Sequence, residues 1–350
     1  MARSDMVESP AAKEIPAPPP LSCAERSPSP PLRGREERSC PHHIEPLSAT
    51  AMTDISLKND VALGVTVPSR HARGRAARIG PVLETILANH GYPPVIEKLL
   101  AEALVLTALL GSLLKDPNGQ LTIQAQTENG IVDLLVCDYL GGELRGYVRH
   151  DKERLAEAGP NPTLFSLFGK GYLAITFDQP ASKERYQVIV PLEGEGLAEA
   201  AQSYFAQSEQ IPSIVRLSAK KDEQGWVAGG LMFQHLPEGE EGRERLHTRL
   251  DHPEWPHVAV LVGSVKPEEL LDRDLPLDDL VWRLLHEEEE VRTLAPVALS
   301  RGCRCSPDYI ASVIARFPPD ERAAMVGDDG LIRVDCAFCA TSFPIAAEAA

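Results

Sequence analysis

Cys303-Arg304-Cys305 and Cys336-Ala337-Phe338-Cys339, separated by thirty residues, decide how the C-terminal part of this chain folds. Four thiols in two close pairs suit one tetrahedral Zn²⁺ site with metal–sulfur distances of about 2.3 Å. A module this small cannot hold a core alone, so metal binding would supply folding free energy on the order of 10 kcal/mol. We therefore expect residues 301–346 to form a zinc-binding module. Its ligands would be Cys303, Cys305, Cys336 and Cys339, with one Zn²⁺ per chain.

The sequence next to the cysteines supports such a module. Ser306-Pro307-Asp308 is typical of a helix start, with a capping hydroxyl, a proline in the first turn and an acid behind it. Residues 331–335 predict a short strand that leads to Cys336. The first cysteine pair should therefore precede a helix, and the second pair should follow a strand.

The same four thiols allow two interpretations. One is a purely structural zinc ribbon, although ribbons usually contain two C-x-x-C knuckles and one pair here is C-x-C. The other is a redox switch. Without metal, Cys336 and Cys339 have the spacing of an easily formed disulfide, whereas a bridge between Cys303 and Cys305 would be strained. Unequal pairs indicate stepwise oxidation.

Composition limits the class of protein. The 350 residues have a net charge of −16, which argues against nucleic acid as a partner because phosphate binding needs clustered Lys and Arg. Seven cysteines, four of them in one cluster, favour a reducing compartment over a secreted disulfide scaffold. The most apolar segment, residues 103–114, is too short to span a bilayer and is predicted to be a core helix.

The first 52 residues are predicted to be a disordered extension. Residues 1–51 hold ten of the thirty prolines and seven serines, without apolar periodicity. No apolar segment follows a basic start, so we do not expect a signal peptide, and Met52 could be the biological start. Cys23 and Cys40 lie in this extension, where we expect them to be incidental.

Residues 53–237 are predicted to form an N-terminal α+β domain with an antiparallel sheet, because strands follow one another as hairpins rather than as βαβ units. Helices are expected over 81–89, 94–114 and 196–210, and strands over 121–125, 134–137, 144–148, 173–177, 186–190, 214–219 and 226–234. Arg73, Arg75 and Arg78 are expected in a solvated loop. Cys137 is expected to be a small buried hydrophobe.

The sequence contains no P-loop, no G-x-S-x-G elbow, no H-E-x-x-H and no strand-linked G-x-G-x-x-G. We therefore expect no catalytic residues and no enzyme activity.

Residues 238–300 are predicted to form a metastable acidic linker. Residues 237–292 hold sixteen acidic and seven basic side chains. An apolar helical stripe is formed by Leu277, Leu280, Val281, Leu284 and Leu285. Four glutamates, 287–290, end this helix where the helix dipole disfavours negative charge, so their replacement by Gln should stabilise it. We expect the zinc module to dock on the stripe, and loss of metal to release the helix and expose apolar surface.

Several longer stretches match one known family. They include Arg73-Gly74-Arg75, Gly142-Glu143-Leu144-Arg145-Gly146-Tyr147, Tyr204-Phe205-Ala206-Gln207-Ser208-Glu209-Gln210-Ile211-Pro212 and the C-x-C plus C-x-x-C cysteines. With these residues the chain closely resembles the 33 kDa chaperonin family, the redox-regulated heat-shock holdases of bacteria. The resemblance runs from about residue 52 to residue 344.

The resemblance implies a cytoplasmic, ATP-independent chaperone whose reduced, zinc-bound monomer is inactive. Oxidants such as hypochlorous acid would expel zinc and form the disulfide Cys336–Cys339 first and Cys303–Cys305 afterwards. The linker would then unfold, the chain would form a homodimer, and unfolding client proteins would bind the exposed apolar surface. Reduction would return clients to ATP-dependent foldases. No membrane partner is implied.

Two other functions make distinct predictions. A thiol-disulfide oxidoreductase needs its C-x-x-C at the start of a helix in a thioredoxin-like βαβ unit, which the sequence does not predict. A constitutive zinc-ribbon adaptor protein would keep its metal under peroxide and show no oxidation-dependent binding. The sequence favours the redox-regulated holdase over both.

Overall fold

The computed structural model describes residues 56–127, 129–159, 162–180, 184–192, 194–236 and 253–346. The predicted extension, residues 1–52 with Cys23 and Cys40, lies outside the described residues. The first part of the predicted linker, residues 238–252, lies outside them as well.

Strands make up most of the regular structure between residues 56 and 236. The strands of the described residues are β1 Val61–Val67, β2 Ala72–Ile79, β3 Gln120–Thr127, β4 Val132–Leu140, β5 Glu143–His150, β6 Gly171–Gln179, β7 Glu184–Pro191, β8 Ser213–Asp222, β9 Gly225–His235, β10 Arg292–Thr293, β11 Val297–Ala298, β12 Ser300–Arg301, β13 Leu331–Asp335 and β14 Ser342–Ala346. Most were predicted from the alternation of apolar and polar residues. In β3, for example, every second residue from Leu121 onward is buried.

Helices connect and cover these strands. They are α1 Pro81–Leu87, α2 Pro94–Gly111, α3 Lys152–Glu157, α4 Leu164–Phe168, α5 Leu197–Tyr204, α6 Trp255–Gly263, α7 Pro267–Leu270, α8 Leu277–Leu285, α9 Pro307–Ile314 and α10 Pro319–Met325. A short 3₁₀ turn spans Pro68–Arg70, and one π-helical turn, Phe205–Glu209, continues α5. None of the described helices combines the length and the apolar character needed to cross a membrane.

The described strands form two large sheets and one small one. The first sheet has the order β10-β1-β2-β9-β8, with β11 also on β1, and the second has the order β12-β5-β4-β3-β6-β7. Pairing is antiparallel throughout the described residues except between β12 and β5, which are parallel. Strands β13 and β14 form the third sheet. The predicted α+β class with antiparallel sheets is confirmed.

Helix α2 lies at the centre of the main core. It is buried along almost its whole length because apolar residues occupy all of its faces, as expected for a helix surrounded by protein. It packs against strands of both large sheets. The predicted core helix is therefore confirmed, and Cys137 is fully buried in the same core, as predicted.

Strands β1 and β2 were not predicted, and the expected solvated loop at Arg73, Arg75 and Arg78 is wrong. These arginines lie in β2, where Arg78 is fully buried. The sequence of β2 alternates Arg with Gly and Ala, so it lacks the alternation of large apolar and polar residues by which a strand is recognised. The guanidinium groups are accommodated because backbone carbonyls and a glutamine accept their hydrogen bonds.

The first sheet is covered on both faces. Residues of β1 and β9 are buried on both sides of the sheet, so each face must pack against another layer. One face joins the main core. The other face packs against the described part of the predicted acidic linker, residues 253–300, called the acidic segment below. Together they form a second core that contains Val65, Phe233, Val258, Leu280 and Leu285.

The predicted helical stripe is confirmed in α8, but its predicted cover is wrong. The stripe packs on the first sheet, and residues of 301–346 take no part in this second core. The reason is that β1 and β9 present a second apolar face that periodicity within the linker alone does not reveal. The boundaries at residues 53, 238 and 301 stay predictions.

Candidate metal and redox centre

The four predicted cysteine ligands come together in the structure. Their Sγ atoms all lie within 4.8 Å of one another. Adjacent sulfurs are separated by 3.1 Å (Cys303–Cys305), 3.7 Å (Cys303–Cys336) and 3.5 Å (Cys305–Cys339). A tetrahedral metal with metal–sulfur distances of about 2.3 Å places its sulfurs about 3.8 Å apart. The donor set and its spacing therefore fit one tetrahedral metal ion.

Two local structures present the cysteines. The first pair lies between β12 and α9, and the Ser306 hydroxyl caps α9 by accepting a hydrogen bond from the Tyr309 N–H at 3.1 Å. The second pair lies in the turn between β13 and β14, where the Ala340 N–H donates to the Cys336 carbonyl at 2.8 Å. The predicted helix after Cys305 and the predicted strand before Cys336 are thus both present.

The module around the cysteines has a very small core. Its core is formed by the buried side chains of Ile310, Ile314, Ile332 and Ile345. Four such side chains contribute on the order of 10 kcal/mol, which is less than the conformational entropy cost of ordering about 45 residues. A metal ion held by the four cysteines would therefore supply part of the stability of the module.

The thiols are electrostatically unequal. Burial raises the pKa of Cys339, but hydrogen bonds from the Thr341 side chain and amide outweigh it and lower this pKa to about 6. Burial and neighbouring sulfurs raise the pKa of Cys305 and of Cys336. Cys339, whose Sγ lies 3.3 Å from the Thr341 hydroxyl, is thus the thiol most readily ionised of these three.

The knuckle 336–339 docks on the second sheet through Phe338. The Phe338 ring lies 4.0 Å from the Arg145 guanidinium carbon and meets the Tyr147 ring edge-on, with ring centroids 5.0 Å apart. Both partners are on β5. The Arg145 guanidinium is held in place by two hydrogen bonds to Asp138, at 2.8 and 2.6 Å.

The loop between α1 and α2 completes this docking. The Asn89 amide donates to the Cys339 carbonyl at 3.3 Å, and the His90 Nε2 atom lies 3.3 Å from the Phe338 carbonyl oxygen. The sequence analysis did not predict that the knuckle docks on the second sheet. The available signal was Phe338, an aromatic residue between two predicted metal ligands, at a position where metal binding does not require an aromatic side chain.

Arg78 attaches the acidic segment to the first sheet. Its guanidinium donates to the carbonyls of Leu270 at 2.8 Å, Leu275 at 2.5 Å and Glu269 at 3.0 Å, and also to Lys58 at 3.0 Å. Burial lowers the pKa of Arg78 to about 10, so the group stays charged at neutral pH. The buried Arg78 side chain thus attaches α7 and the turn before α8 to β2.

A second attachment involves the glutamate run. The Glu288 carboxylate accepts hydrogen bonds from Arg70 and from His257, both at 2.7 Å, and its side chain is 3% exposed. Arg70 also pairs with Glu254. The Glu288 carboxylate is therefore buried and paired, and it joins α6, the end of α8 and the turn after β1.

Comparison with known proteins gives consistent matches. A family model described as Hsp33 protein matches residues 60–346. The 33 kDa chaperonin of Caulobacter vibrioides (strain NA1000 / CB15N) is 38% identical over 306 residues, which cover 84% of this chain and 98% of that protein. The 33 kDa chaperonin of Yersinia pestis (strain Pestoides F) is 35% identical over 276 residues, covering 79% and 88%.

A solved structure also has the same fold. The crystal structure of the 33 kDa chaperonin from Thermotoga maritima matches with a TM-score of 0.66 and 23% identity, over 83% of this chain and 96% of that chain.

Proposed function

The chain belongs to the Hsp33 family, and from this premise we propose that it is a redox-regulated, ATP-independent holdase chaperone. In this proposal the reduced monomer is inactive, and oxidation of the four cysteines makes it bind unfolding client proteins. The observation that carries the proposal is the cluster of four sulfurs within 4.8 Å, docked on the sheet that also receives the end of the acidic segment.

In the resting state, Cys303, Cys305, Cys336 and Cys339 hold one Zn²⁺ as thiolates. Bound Zn²⁺ supplies tetrahedral cross-linking without redox chemistry of its own. The thiolates keep the β13–β14 turn and the N-terminus of α9 together. Phe338 remains on β5, and the acidic segment remains folded on the first sheet.

Activation is a two-electron oxidation at each cysteine pair. Hypochlorous acid accepts two electrons from two thiolates, so that one S–S bond forms while the O–Cl bond breaks to give chloride and hydroxide. The pair Cys336–Cys339 reacts first and Cys303–Cys305 second. Because thiolates bind metal and disulfide sulfurs bind it poorly, the four oxidised cysteines would no longer hold Zn²⁺.

Loss of the sulfur cluster removes the largest stabilising contribution to the module. The acidic segment then leaves the first sheet, and the apolar face around Val65 and Phe233 becomes available to clients. The oxidised chain forms a homodimer and passes its clients to ATP-dependent foldases after reduction. The protein acts in the cytoplasm and is not an enzyme.

A parallel measurement of zinc release and light scattering tests the proposal. Treatment of reduced protein with hypochlorous acid should release about one zinc per chain and suppress aggregation of a heat-denatured client. Cys336→Ser should weaken zinc binding and abolish oxidant control. Cys23→Ser, the same change outside the cluster, should behave as wild type.

The alternatives give different results in the same assay. Retention of zinc under oxidant, with no change in client aggregation, would support a constitutive zinc-ribbon adaptor. Catalytic turnover of a disulfide substrate by the reduced chain would support a thiol-disulfide oxidoreductase.

A further inference from the structure

Residues 292–302, called the strap below, cover one edge of each large sheet. Strands β10 and β11 pair antiparallel with β1, and β12 pairs parallel with β5. Four strap amides donate to edge carbonyls: Leu294 to Gly64 at 2.8 Å, Leu299 to Asp60 at 2.8 Å, Ser300 to Gly142 at 3.0 Å and Gly302 to Leu144 at 2.9 Å. The strap thus crosses from the first sheet to the second as an added strand.

The strap is held mainly by its backbone and by one buried side chain. Leu299 is 4% exposed and joins the main core, whereas the other strap side chains are half-buried or exposed. Recognition through backbone amides and one apolar anchor depends little on sequence. The edges of β1 and β5 can therefore accept many extended segments that carry a leucine-like side chain.

Glycines on both edges allow the strap to approach closely. A Cβ atom at Gly142 would lie 2.5 Å from the Ala298 carbonyl oxygen, and one at Gly64 would lie 2.8 Å from Leu294 Cδ1. Backbone therefore packs directly against backbone at Gly142. This is the geometry of strand addition rather than of side-chain interdigitation.

The strap is similar in amino-acid composition to a segment of an unfolded client protein. Between Arg292 and Arg301 it reads Thr-Leu-Ala-Pro-Val-Ala-Leu-Ser, eight residues without charge, after a strongly acidic stretch. Extended, uncharged and moderately apolar segments are what an unfolding protein exposes. The strap, which pairs with the two edges in this structure, is thus a model for the client segment that would replace it.

The attachment is weak enough to be reversed. Strands β10, β11 and β12 have two residues each, too few to be stable by themselves. The strap also ends directly before Cys303, so release of the cysteine module removes its C-terminal anchor. Its departure would leave two unpaired edges with free amides and carbonyls.

We propose that the vacated edges of β1 and β5 bind extended segments of unfolding client proteins by strand addition, and that the strap is an intramolecular substitute for such a segment. The proposal rests on the proposed holdase function and specifies its client surface.

A peptide competition experiment tests the proposal. The probe is a synthetic peptide of residues 291–302, and the matched control has the same side chains but N-methyl groups on Leu294 and Leu299, which remove two donating N–H groups. Binding of each peptide to oxidised full-length protein is measured by fluorescence anisotropy, and displacement of a heat-denatured client by light scattering.

The unmodified peptide should bind and restore client aggregation, and the control should need a concentration about tenfold higher or more, because two hydrogen bonds are lost. Equal potency of the two peptides would overturn the proposal. The proposal would also be overturned if the peptide converted an oxidised dimer to monomers without displacing the client. In that case the edges of β1 and β5 would bind the strap of a second copy of the chain rather than a client segment.

The outcomes separate this proposal from the proposed function. Peptide binding by a protein that never suppresses aggregation would refute the holdase and leave the edge site standing. Suppression that neither peptide affects would support the holdase and refute the edge site.

Discussion

At the scale of single residues, buried charges hold the acidic segment on the first sheet. Arg78 is fully buried and satisfies four carbonyl groups, three of them between Glu269 and Leu275. Two of these carbonyls lie at the C-terminal end of α7 and the third lies in the turn that follows it. Without the guanidinium they would be buried and unpaired, which is costly.

Arg78→Met should therefore loosen the acidic segment while keeping the side-chain volume. We expect the free energy of unfolding to fall by about 3 kcal/mol, because several buried carbonyls lose their donor. Chemical denaturation measures the change, and hydrogen exchange over residues 267–277 locates it. Arg154→Met is the control, since Arg154 donates to two carbonyls at an exposed position and should change stability by less than about 0.5 kcal/mol. Equal effects of both variants would contradict the assigned role.

Glu288 should make the acidic segment sensitive to acid. Burial raises the pKa of Glu288, but hydrogen bonds from Arg70 and His257 outweigh it, so the folded-state pKa lies below the ordinary value of 4.5. The pairing thus stabilises the fold above about pH 4.5 and is lost as the pH falls through the folded-state pKa.

Glu288→Gln should cost about 2 kcal/mol at pH 7, and this difference from wild type should shrink towards zero as the pH falls through the lowered folded-state pKa of Glu288. Urea denaturation at several pH values measures it, with Glu289→Gln as the exposed neighbouring control. A stabilising effect of Glu288→Gln at pH 7 would restore the helix-dipole argument, by which all four glutamates destabilise α8.

At the scale of elements, β5 contacts the chain next to both cysteine pairs. Its N-terminal residues pair with β12, directly before Cys303, and its next residues contact Phe338 between Cys336 and Cys339. A structural change at either cysteine pair therefore alters a contact with the same strand, β5. Because β5 also pairs along its full length with β4, it is a rigid platform for this contact.

Phe338→Ala should undock the knuckle without removing the metal ligands. The loss of one cation–π contact and one aromatic pair should weaken docking by about 1–2 kcal/mol. Hydrogen exchange around Asn89 and His90 should rise, while zinc content stays at one per chain and less oxidant is needed for activation. Tyr309→Ala, at a 62% exposed position of the same module, is the control. Unchanged exchange in the Phe338 variant would show that the contact does not hold the module.

At the scale of the whole molecule, the stability of the described residues is divided between two large cores and one very small one. The large cores share the first sheet, so the acidic segment and the two-sheet domain support one another. The third core depends on the sulfur cluster.

Metal removal from the reduced chain should therefore unfold the molecule in parts. A chelator should remove the amide protection of residues 303–346, lower that of the acidic segment and leave the two-sheet domain to unfold in a separate, later thermal transition, because a bound metal would supply on the order of 10 kcal/mol to the module. Hydrogen exchange and calorimetry with and without chelator measure this, and added Zn²⁺ should reverse it. Protection that persists in the metal-free module would show that its four isoleucines are sufficient.

The sequence by itself determined the parts of the molecule that depend on local pattern. Cysteine spacing identified the sulfur cluster, Ser306-Pro307 identified the start of α9, and the alternation at Leu121, Ile123 and Ala125 identified β3. These features depend on residues close together in the chain, where periodicity and capping preferences act directly.

Only the tertiary structure decided what each surface packs against. Periodicity shows that α8 has an apolar face, but it cannot show that β1 and β9 cover it rather than the cysteine module. Arg78 and Glu288 are charged residues of a kind that is usually exposed to solvent. Arg78 is buried because the fold brings it to carbonyls such as that of Leu270, nearly two hundred residues away. Glu288 is buried because the fold brings it to the guanidinium of Arg70, more than two hundred residues away. Contacts of this kind follow from how the sheets stack, and no local sequence pattern encodes that.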